Sequence, residues 1–498
     1  MIPLLTSAQI REVDAYTIGH EPITSVNLMK RASKAFTKQF VEEYPDKGKG
    51  ITVYCGTGNN GGDGLAIARL LKAEHYNVAV KITRFSEKSS RDFAANLKNL
   101  KGIEVTEIKP GDVIPAEQSD IIIDALLGSG LNKPLADDYA RLVEYLNTLN
   151  RVVVAVDVPT GFYTEGEIAK KALVLKANLV ITFQQAKLNF LLPESAAYMD
   201  RFVVADIGLD KTFIESLNGI YQMIEEGDVK GMLKPRKPFD HKGTYGHALI
   251  IAGQAQTMGA ALLCSSACAH TGAGLTTACV PESGLSALNS ALPEVMALIH
   301  AGKDKPVIKW DKFNAVAIGP GLGTDGFSFA LLDTAFKAYL HPLVIDADAL
   351  NILADNYYLI KKVPVNSIIT PHMKEFDRIF GEHTSWWNRI ETMRNKAKEH
   401  NLNIVLKNRY TIIATPAGKV YFNPTGNPAM ASGGMGDVLT GIITSLLAQG
   451  YSPEEACIVG VYLHGKTGDD MAFPDKLSTV LAGELAKNIP VTLAKLRA

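Results

Sequence analysis

The chain has 498 residues, of which 47% are hydrophobic and 21% charged, and its formal charge is −1. Its length suits about three domains, or two large ones, with full hydrophobic cores. The near-zero charge excludes bulk attraction to nucleic acid or to an anionic membrane, and no run approaches the length of a membrane span.

Met1 to Glu21 mixes charges among its apolar residues, unlike a signal peptide. Cys55, Cys264, Cys268, Cys279 and Cys457 sit in apolar segments without paired metal spacing. They read as reduced thiols of a cytoplasmic protein.

Thr6-Ser7-Ala8-Gln9 opens a helix carrying Ile10, Val13 and Ile18, and a second helix is expected from about Leu28 to Tyr44. The period then changes. Ile51–Cys55 reads as a strand, Gly56-Thr57-Gly58-Asn59-Asn60-Gly61-Gly62-Asp63-Gly64 as a loop, and Leu65 to His75 as the next helix. Strand, glycine loop and helix open a phosphate-binding βαβ unit. The glycines imply an unusual backbone path. Asn59, Asn60 and Asp63 depart from a dinucleotide fingerprint, and such side chains suit a cation or a ribose.

Strands follow at Val78–Thr83, Ile103–Ile108, Ile121–Leu127, Val152–Val158, Leu179–Phe183 and Phe202–Ile207, mostly separated by helical segments. This alternation predicts a mainly parallel sheet covered on both faces, with ligands at the carboxyl ends of its strands. Three polar clusters fall there: the Asn59–Gly64 run, Asp124 to Gly130, and Asp157-Val158-Pro159-Thr160-Gly161. Oxygens from Asn60, Asp124 and Thr160 suit a hard cation, which leaves Asp157 free to act as a base.

These three motifs together resemble the NAD(P)H-hydrate epimerase domain, over about residues 1–215. The resemblance implies a Rossmann-like three-layer fold and exchange of the R and S forms of hydrated NADH or NADPH. It implies a potassium ion on Asn60, Asp124 and Thr160. It further implies substrate contacts from Asn59, Asn60, Gly61, Gly62 and Asp63 and from Gly128, Ser129, Gly130, Leu131, Asn132, Lys133 and Pro134. Asp157 is then the acid/base residue.

Leu209 to Lys237 is less regular and more charged, with Pro235 and Pro238 at its end, so a linker is expected over 216–235. A second α/β domain follows over 236–498. Its strands are expected at Ala248–Ala252, Ala315–Ile318, Val344–Leu350, Ile368–His372, Ile404–Asn408, Thr411–Thr415 and Val420–Asn423. A small-residue helix over Gly259–Gly272 packs either within its domain or against a second copy of the chain. Gly319-Pro320-Gly321-Leu322-Gly323 and the carboxylates Asp346 and Asp348 close two of the strands.

Asn427-Pro428-Ala429-Met430-Ala431-Ser432-Gly433-Gly434-Met435-Gly436-Asp437 then runs into a helix with an apolar face. Flexible glycines, free amides and the positive end of a helix dipole make an anion site. Asp437 reads either as a helix cap or as a base beside a bound phosphate.

This half resembles the ribokinase-like superfamily, specifically its ADP-dependent NAD(P)H-hydrate dehydratase branch. The motifs are Lys242-Gly243-Thr244-Tyr245-Gly246, Gly319 to Gly323, Thr370-Pro371-His372 and Gly433 to Asp437. The resemblance implies an ADP site from Lys407, Asn408, Arg409, Tyr410, Thr411, Asn427, Ser432, Gly433, Gly434, Met435 and Gly436, with magnesium accompanying ADP. Ala261, Gly323, His372 and Asp437 would approach the hydrated nucleotide, with Asp437 catalytic. His372 has a plainer reading as a cap. The alternative function is a small-molecule kinase with a non-catalytic nucleotide-binding first domain.

Overall fold

Isoleucine and valine dominate Ile121–Ala125 and Val152–Val156, and almost every residue of both is buried, as in parallel strands covered on two faces. In the computed structural model, which describes residues 1–131, 133–217, 219–301 and 305–498, these strands lie at the centre of a seven-stranded sheet. Its order is Glu104–Ile108, Asn77–Thr83, Gly50–Cys55, Ile121–Ala125, Val152–Val156, Ala177–Phe183, Met199–Ala205, all parallel. The chain winds outward from Gly50–Cys55 and returns to Ile121–Ala125 on its other side. That reversal opens a crevice at the strand ends, the usual ligand position in such sheets.

The expected strands are all present, with ends shifted by a few residues. The glycine run differs. Asn59–Ala73 is one continuous helix, so Asn59 to Gly64 form its first turns rather than a loop. None of Gly56, Gly58, Gly61, Gly62 and Gly64 has a positive φ. Their role is close approach: a Cβ on Gly61 would lie 1.8 Å from the Gly56 carbonyl oxygen, and one on Gly64 would lie 2.5 Å from Cβ of Ala125. The helix sits directly on the strands because its inner face lacks side chains.

Contacts divide the chain into two units, Pro3–Gly219 with Ser385–Trp387, and Ile220–Thr384 with Asn388–Ala498 and Met1–Ile2. The stretch 216–235, expected as a linker, holds the strand Tyr221–Met223 and the helix Glu226–Met232. The second sheet runs Ile2–Pro3, Tyr221–Met223, Val420–Phe422, Ile412–Ala414, Asn403–Leu406, Ile368–Ile369, Leu343–Ile345, Ala315–Ile318, His247–Ile251, Leu275–Pro281, Met296–His300. Only the pairings of Ile412–Ala414 with its two neighbours are antiparallel among those described. Here too the winding reverses, between His247–Ile251 and Ala315–Ile318. Leu275–Pro281 and Met296–His300 were not expected. The first mixes Thr, Ala and Cys, and the second is a largely exposed edge, so neither shows strand periodicity.

The small-residue helix, Met258–Thr271, packs within its own unit. A Cβ on Gly441 of the helix Met435–Ala448 would lie 2.1 Å from the Cys264 carbonyl oxygen. All five cysteines are buried and unbridged. Among the described residues, no helix is long and apolar enough to cross a membrane.

Candidate functional sites

The first cavity, of about 460 Å³, opens where the first sheet reverses. Gly58, Asn59, Asn60 and Asp63 enter from the start of their helix, and Leu126 to Leu131 from the loop after Ile121–Ala125. Gly61 and Gly62 pack beneath the helix, Lys133 and Pro134 stand outside the wall, and Asn132 lies outside the described residues.

Asp157 ends its strand at φ +63°, a left-handed turn that is uncommon for a residue with a side chain. The turn brings its carboxylate back onto the next strand. Oδ1 accepts from Thr182 Oγ1 at 3.1 Å and from the Phe183 amide at 3.0 Å, and lies 2.9 Å from Lys187 Nζ. Lys187 is itself buried. Lys187, Asp14, Arg11 and Gln184 also line this cavity and were not found by sequence reasoning. A lysine and an aspartate on helical or loop segments look like ordinary solvated charges until the fold closes around them.

Asp124 and Thr160 lie behind the wall. The Thr160 amide and hydroxyl both donate to Asp124, each at 2.7 Å, and the Leu126 amide donates at 3.2 Å. The Thr160 oxygen also accepts from the Leu127 amide. No lysine or arginine pairs with Asp124 among the described residues. Burial pushes its carboxyl up from 3.8 to about 6, against the pull of those hydrogen bonds. Asn60 is next to Gly128, and its buried Nδ2 has no partner among the described residues. An uncompensated buried carboxylate among hydroxyl, amide and carbonyl oxygens fits a hard monovalent cation.

The second cavity, of about 510 Å³, is lined by Lys407, Asn408, Arg409, Thr411, Asn427, Met435 and Gly436, as expected, and also by Asn423, Thr425, Gly426, Leu439, Val461 and His464. Tyr410, Ser432, Gly433 and Gly434 stand outside its wall. Gly434 takes φ +89° and lets the chain enter the helix Met435–Ala448. The helix thus starts at Met435, so Asp437 lies in its first turn and is not the cap. Asp469 accepts from the Gly426 amide at 3.0 Å and Asn427 Nδ2 at 2.7 Å, which fixes that edge of the cavity. Asn408 Nδ2 and His464 Nε2 are buried without a partner among the described residues, and both residues line the cavity. Burial lowers the His464 imidazole to about 4, so it is neutral near pH 7.

A cluster of charges borders this cavity. Lys407 Nζ lies 2.8 Å from Asp346 Oδ1 and 3.8 Å from Glu375 Oε2. Asp346 is buried and also accepts from Thr440 Oγ1 at 2.8 Å. Ala347, at φ +50°, bends the chain so that Asp348 can bond the Gly323 amide at 2.8 Å. Burial and then the charge of Asp346 push Asp437 up from 3.8 to about 6; Lys407 pulls it down and Asp348 pushes it up further. Asp346, seen in the sequence only as a strand-end carboxylate, is therefore the partner that sets Lys407 in place.

His372 caps the helix Met373–Phe380. Its Nδ1 accepts from the Lys374 and Glu375 amides at 3.1 and 3.2 Å, and Nε2, on the other edge of a half-exposed ring, lies 3.6 Å from Glu375 Oε1. Ala261 is fully buried, with its Cβ toward Gly253, so its side chain belongs to the core. Among the described residues no three acidic, histidine or cysteine side chains converge as a metal cage. Magnesium carried on nucleotide phosphates needs no such cage.

Comparison with known proteins gives the same division. The NAD(P)H-hydrate dehydratase family model matches residues 248–491, and the model for the YjeF-related protein N-terminus matches residues 25–189. A bifunctional NAD(P)H-hydrate repair enzyme from Coxiella burnetii is 33% identical, covering 99% of each chain. One from Moorella thermoacetica is 31% identical over 99% of this chain and 97% of its own. Among solved structures, an ADP/ATP-dependent NAD(P)H-hydrate dehydratase from Bacillus subtilis, co-crystallised with ATP and Mg2+, is 32% identical. It matches with a TM-score of 0.50, covering 55% of this chain and 98% of its own.

Proposed function

The chain belongs to the bifunctional NAD(P)H-hydrate repair enzymes, and we propose that its two cavities divide the repair between them. The first exchanges the R and S hydrates of NADH and NADPH over Asp157. The second dehydrates the S hydrate, converting ADP to AMP and phosphate, between Lys407 and Asp437. One observation carries this reading. Each cavity is bordered by a carboxylate with a lysine acting on it: Asp157 lies 2.9 Å from the buried Lys187, and the charge of Lys407 bears on Asp437. The match along the whole chain favours repair over the small-alcohol kinase.

In the second cavity the hydroxyl of the hydrate is a poor leaving group. Asp437, with its carboxyl near 6, is ionised at neutral pH and basic enough to take the hydroxyl proton as that oxygen attacks the terminal phosphoryl of ADP. Amides at the start of Met435–Ala448 and the Lys407 ammonium face the charge that develops on the phosphoryl group. Loss of phosphate then restores the reduced ring. Nε2 of His372 anchors the nicotinamide part. Magnesium, bound with ADP, would supply positive charge at the phosphates.

In the first cavity, Asn60, Asp124 and Thr160 hold a potassium ion, which supplies the counter-charge that Asp124 lacks. Asn59, Asp63 and the Gly128–Leu131 loop hold the nucleotide, and Asp157 moves the proton. We place this chemistry in the cytoplasm, where the cofactor and five free thiols are kept reduced.

The test uses mixed epimers of hydrated NADH with ADP, magnesium and potassium, and follows the returning absorbance of the reduced ring together with AMP and phosphate. Full recovery of both epimers, faster than spontaneous exchange, is expected. Recovery of one epimer alone refutes the role given to the first cavity. No recovery with ADP or ATP refutes the role given to the second.

A further inference from the structure

We infer that Asp14, on the helix Ser7–His20, is the second catalytic carboxylate of the first cavity, working with Asp157 in epimer exchange. This rests on the reading of that cavity as the epimerase site.

A capping box at Thr6 and Gln9 fixes the start of the helix. Ile10, Arg11 and Asp14 are three and four residues apart, so they share one face, and that face lines the cavity together with Asp157 and Lys187. Val13 and Thr17 are the buried anchors of the helix. Asp14 is half-buried and makes no hydrogen bond among the described residues. A surface aspartate would be solvated, and a structural one would be paired. This one is only partly exposed, unpaired among the described residues, and lines a ligand-sized space. Asp157, in the same cavity, has three donors at its Oδ1.

The charges around Asp14 are Asp157, Lys187, Asp63 and, on its own helix, Arg11. Burial, then repulsion from Asp157, pushes its carboxyl up from 3.8 to about 6 against the pull of Lys187. Asp63 also lines the cavity, but Oδ1 of its carboxyl is shut from solvent and burial raises it well above the usual range. A carboxyl that burial biases toward its neutral form is better suited to hold substrate than to accept a proton.

Epimer exchange needs two such groups. The hydrated ring carries its hydroxyl on a carbon bonded to the ring nitrogen. In one direction the Asp14 carboxyl gives its proton to that oxygen, the C–O bond breaks, water departs, and the nitrogen lone pair closes a C=N⁺ bond. Water then adds to the opposite face, a new C–O bond forms, the C=N⁺ electrons return to nitrogen, and the proton goes to the Asp157 carboxylate. The reverse reaction uses the two residues in swapped roles, and exchange with solvent resets the protons. No oxidant or reductant is involved. One carboxylate on one face would return the same epimer.

The test uses the full chain without ADP, so that dehydration is silent, with hydrated NADH in H2 18O. Epimer exchange and 18O uptake are read together. Asp14→Asn is expected to slow both by about 100-fold or more, to bind hydrated NADH within about threefold of the parent, and to keep its ADP-dependent dehydration of the S hydrate. Asp14→Glu restores part of the exchange. Exchange by Asp14→Asn within about threefold of the parent overturns the inference. So does a loss matched by lost binding that Asp14→Glu fails to restore. If Asp157→Asn exchanges at the parental rate, the reading of the cavity itself is wrong, whatever Asp14 does.

Discussion

Replacing Gly61 with alanine tests why the first glycine run exists. The added Cβ would lie 1.8 Å from the Gly56 carbonyl oxygen and 2.6 Å from its carbon. A carbon cannot approach a backbone oxygen so closely, and neither atom is the end of a flexible side chain. Relief requires the helix Asn59–Ala73 to move off the strands, which opens the close packing of Gly64 on Cys55 and Ala125. Overpacking of this kind costs about 1–3 kcal/mol, and more when only backbone can yield. Gly58→Ala is the control. Gly58 has φ −84°, and its Cβ would meet nothing within 4 Å. It should therefore change stability by less than about 0.5 kcal/mol. Urea unfolding followed by signals from the first unit reads both, and the rate of epimer exchange shows whether the cavity is deformed. If Gly61→Ala is as stable as the parent, or Gly58→Ala is equally harmed, close approach is not the reason for the glycines.

Asp437→Asn should slow dehydration by about 100-fold or more with ADP binding kept, read by AMP release and calorimetry; the parental rate would exclude Asp437 as the base. Since the ionised form is the base, parental dehydration should fall as pH drops below about 6, rather than near 3.8, because burial and Asp346 raise the Asp437 carboxyl; a pH–rate profile checks the position of that limb. Lys407→Met leaves the buried Asp346 carboxylate with the Thr440 hydroxyl as its remaining partner among the described residues, a loss of about 3–5 kcal/mol. Adding Asp346→Asn should recover much of that stability in thermal unfolding but not ADP affinity. Withdrawal of potassium should slow epimer exchange and leave dehydration unchanged, since Asp124 and Thr160 lie behind the first cavity's wall and are bonded to its Leu126 and Leu127; equal slowing of both reactions would contradict this.

The sequence was enough for whatever depends on neighbours along the chain. Runs such as Ile121–Ala125 and Val152–Val156 are apolar on both faces, and that pattern has no stable home but a covered parallel strand. Polar residues at the ends of those runs, Asp124, Asp157 and Asp346, stand out because a carboxylate directly after a buried strand has no local reason to be there. The glycine run was legible as special, but its reason was not. A tight turn and a close approach both select glycine, and only the packing of Asn59–Ala73 on Gly56 and Ala125 tells them apart.

What tertiary structure decided is which distant groups meet. Asp14 precedes Asp157 by most of a domain, and its helix carries no feature that separates a catalytic face from a solvated one. Lys407 and Asp346 come from strands set apart by Ile368–Ile369, and their pairing follows from the order in which the sheet is assembled. His372 became a helix cap, and Ala261 a core residue, by the same route. Local sequence fixes the period and the turn chemistry, because those are set by backbone sterics and hydrogen bonds within a few residues. The electrostatics of a site depend on burial and on charges brought together from far along the chain, and these exist only once the sheets have closed.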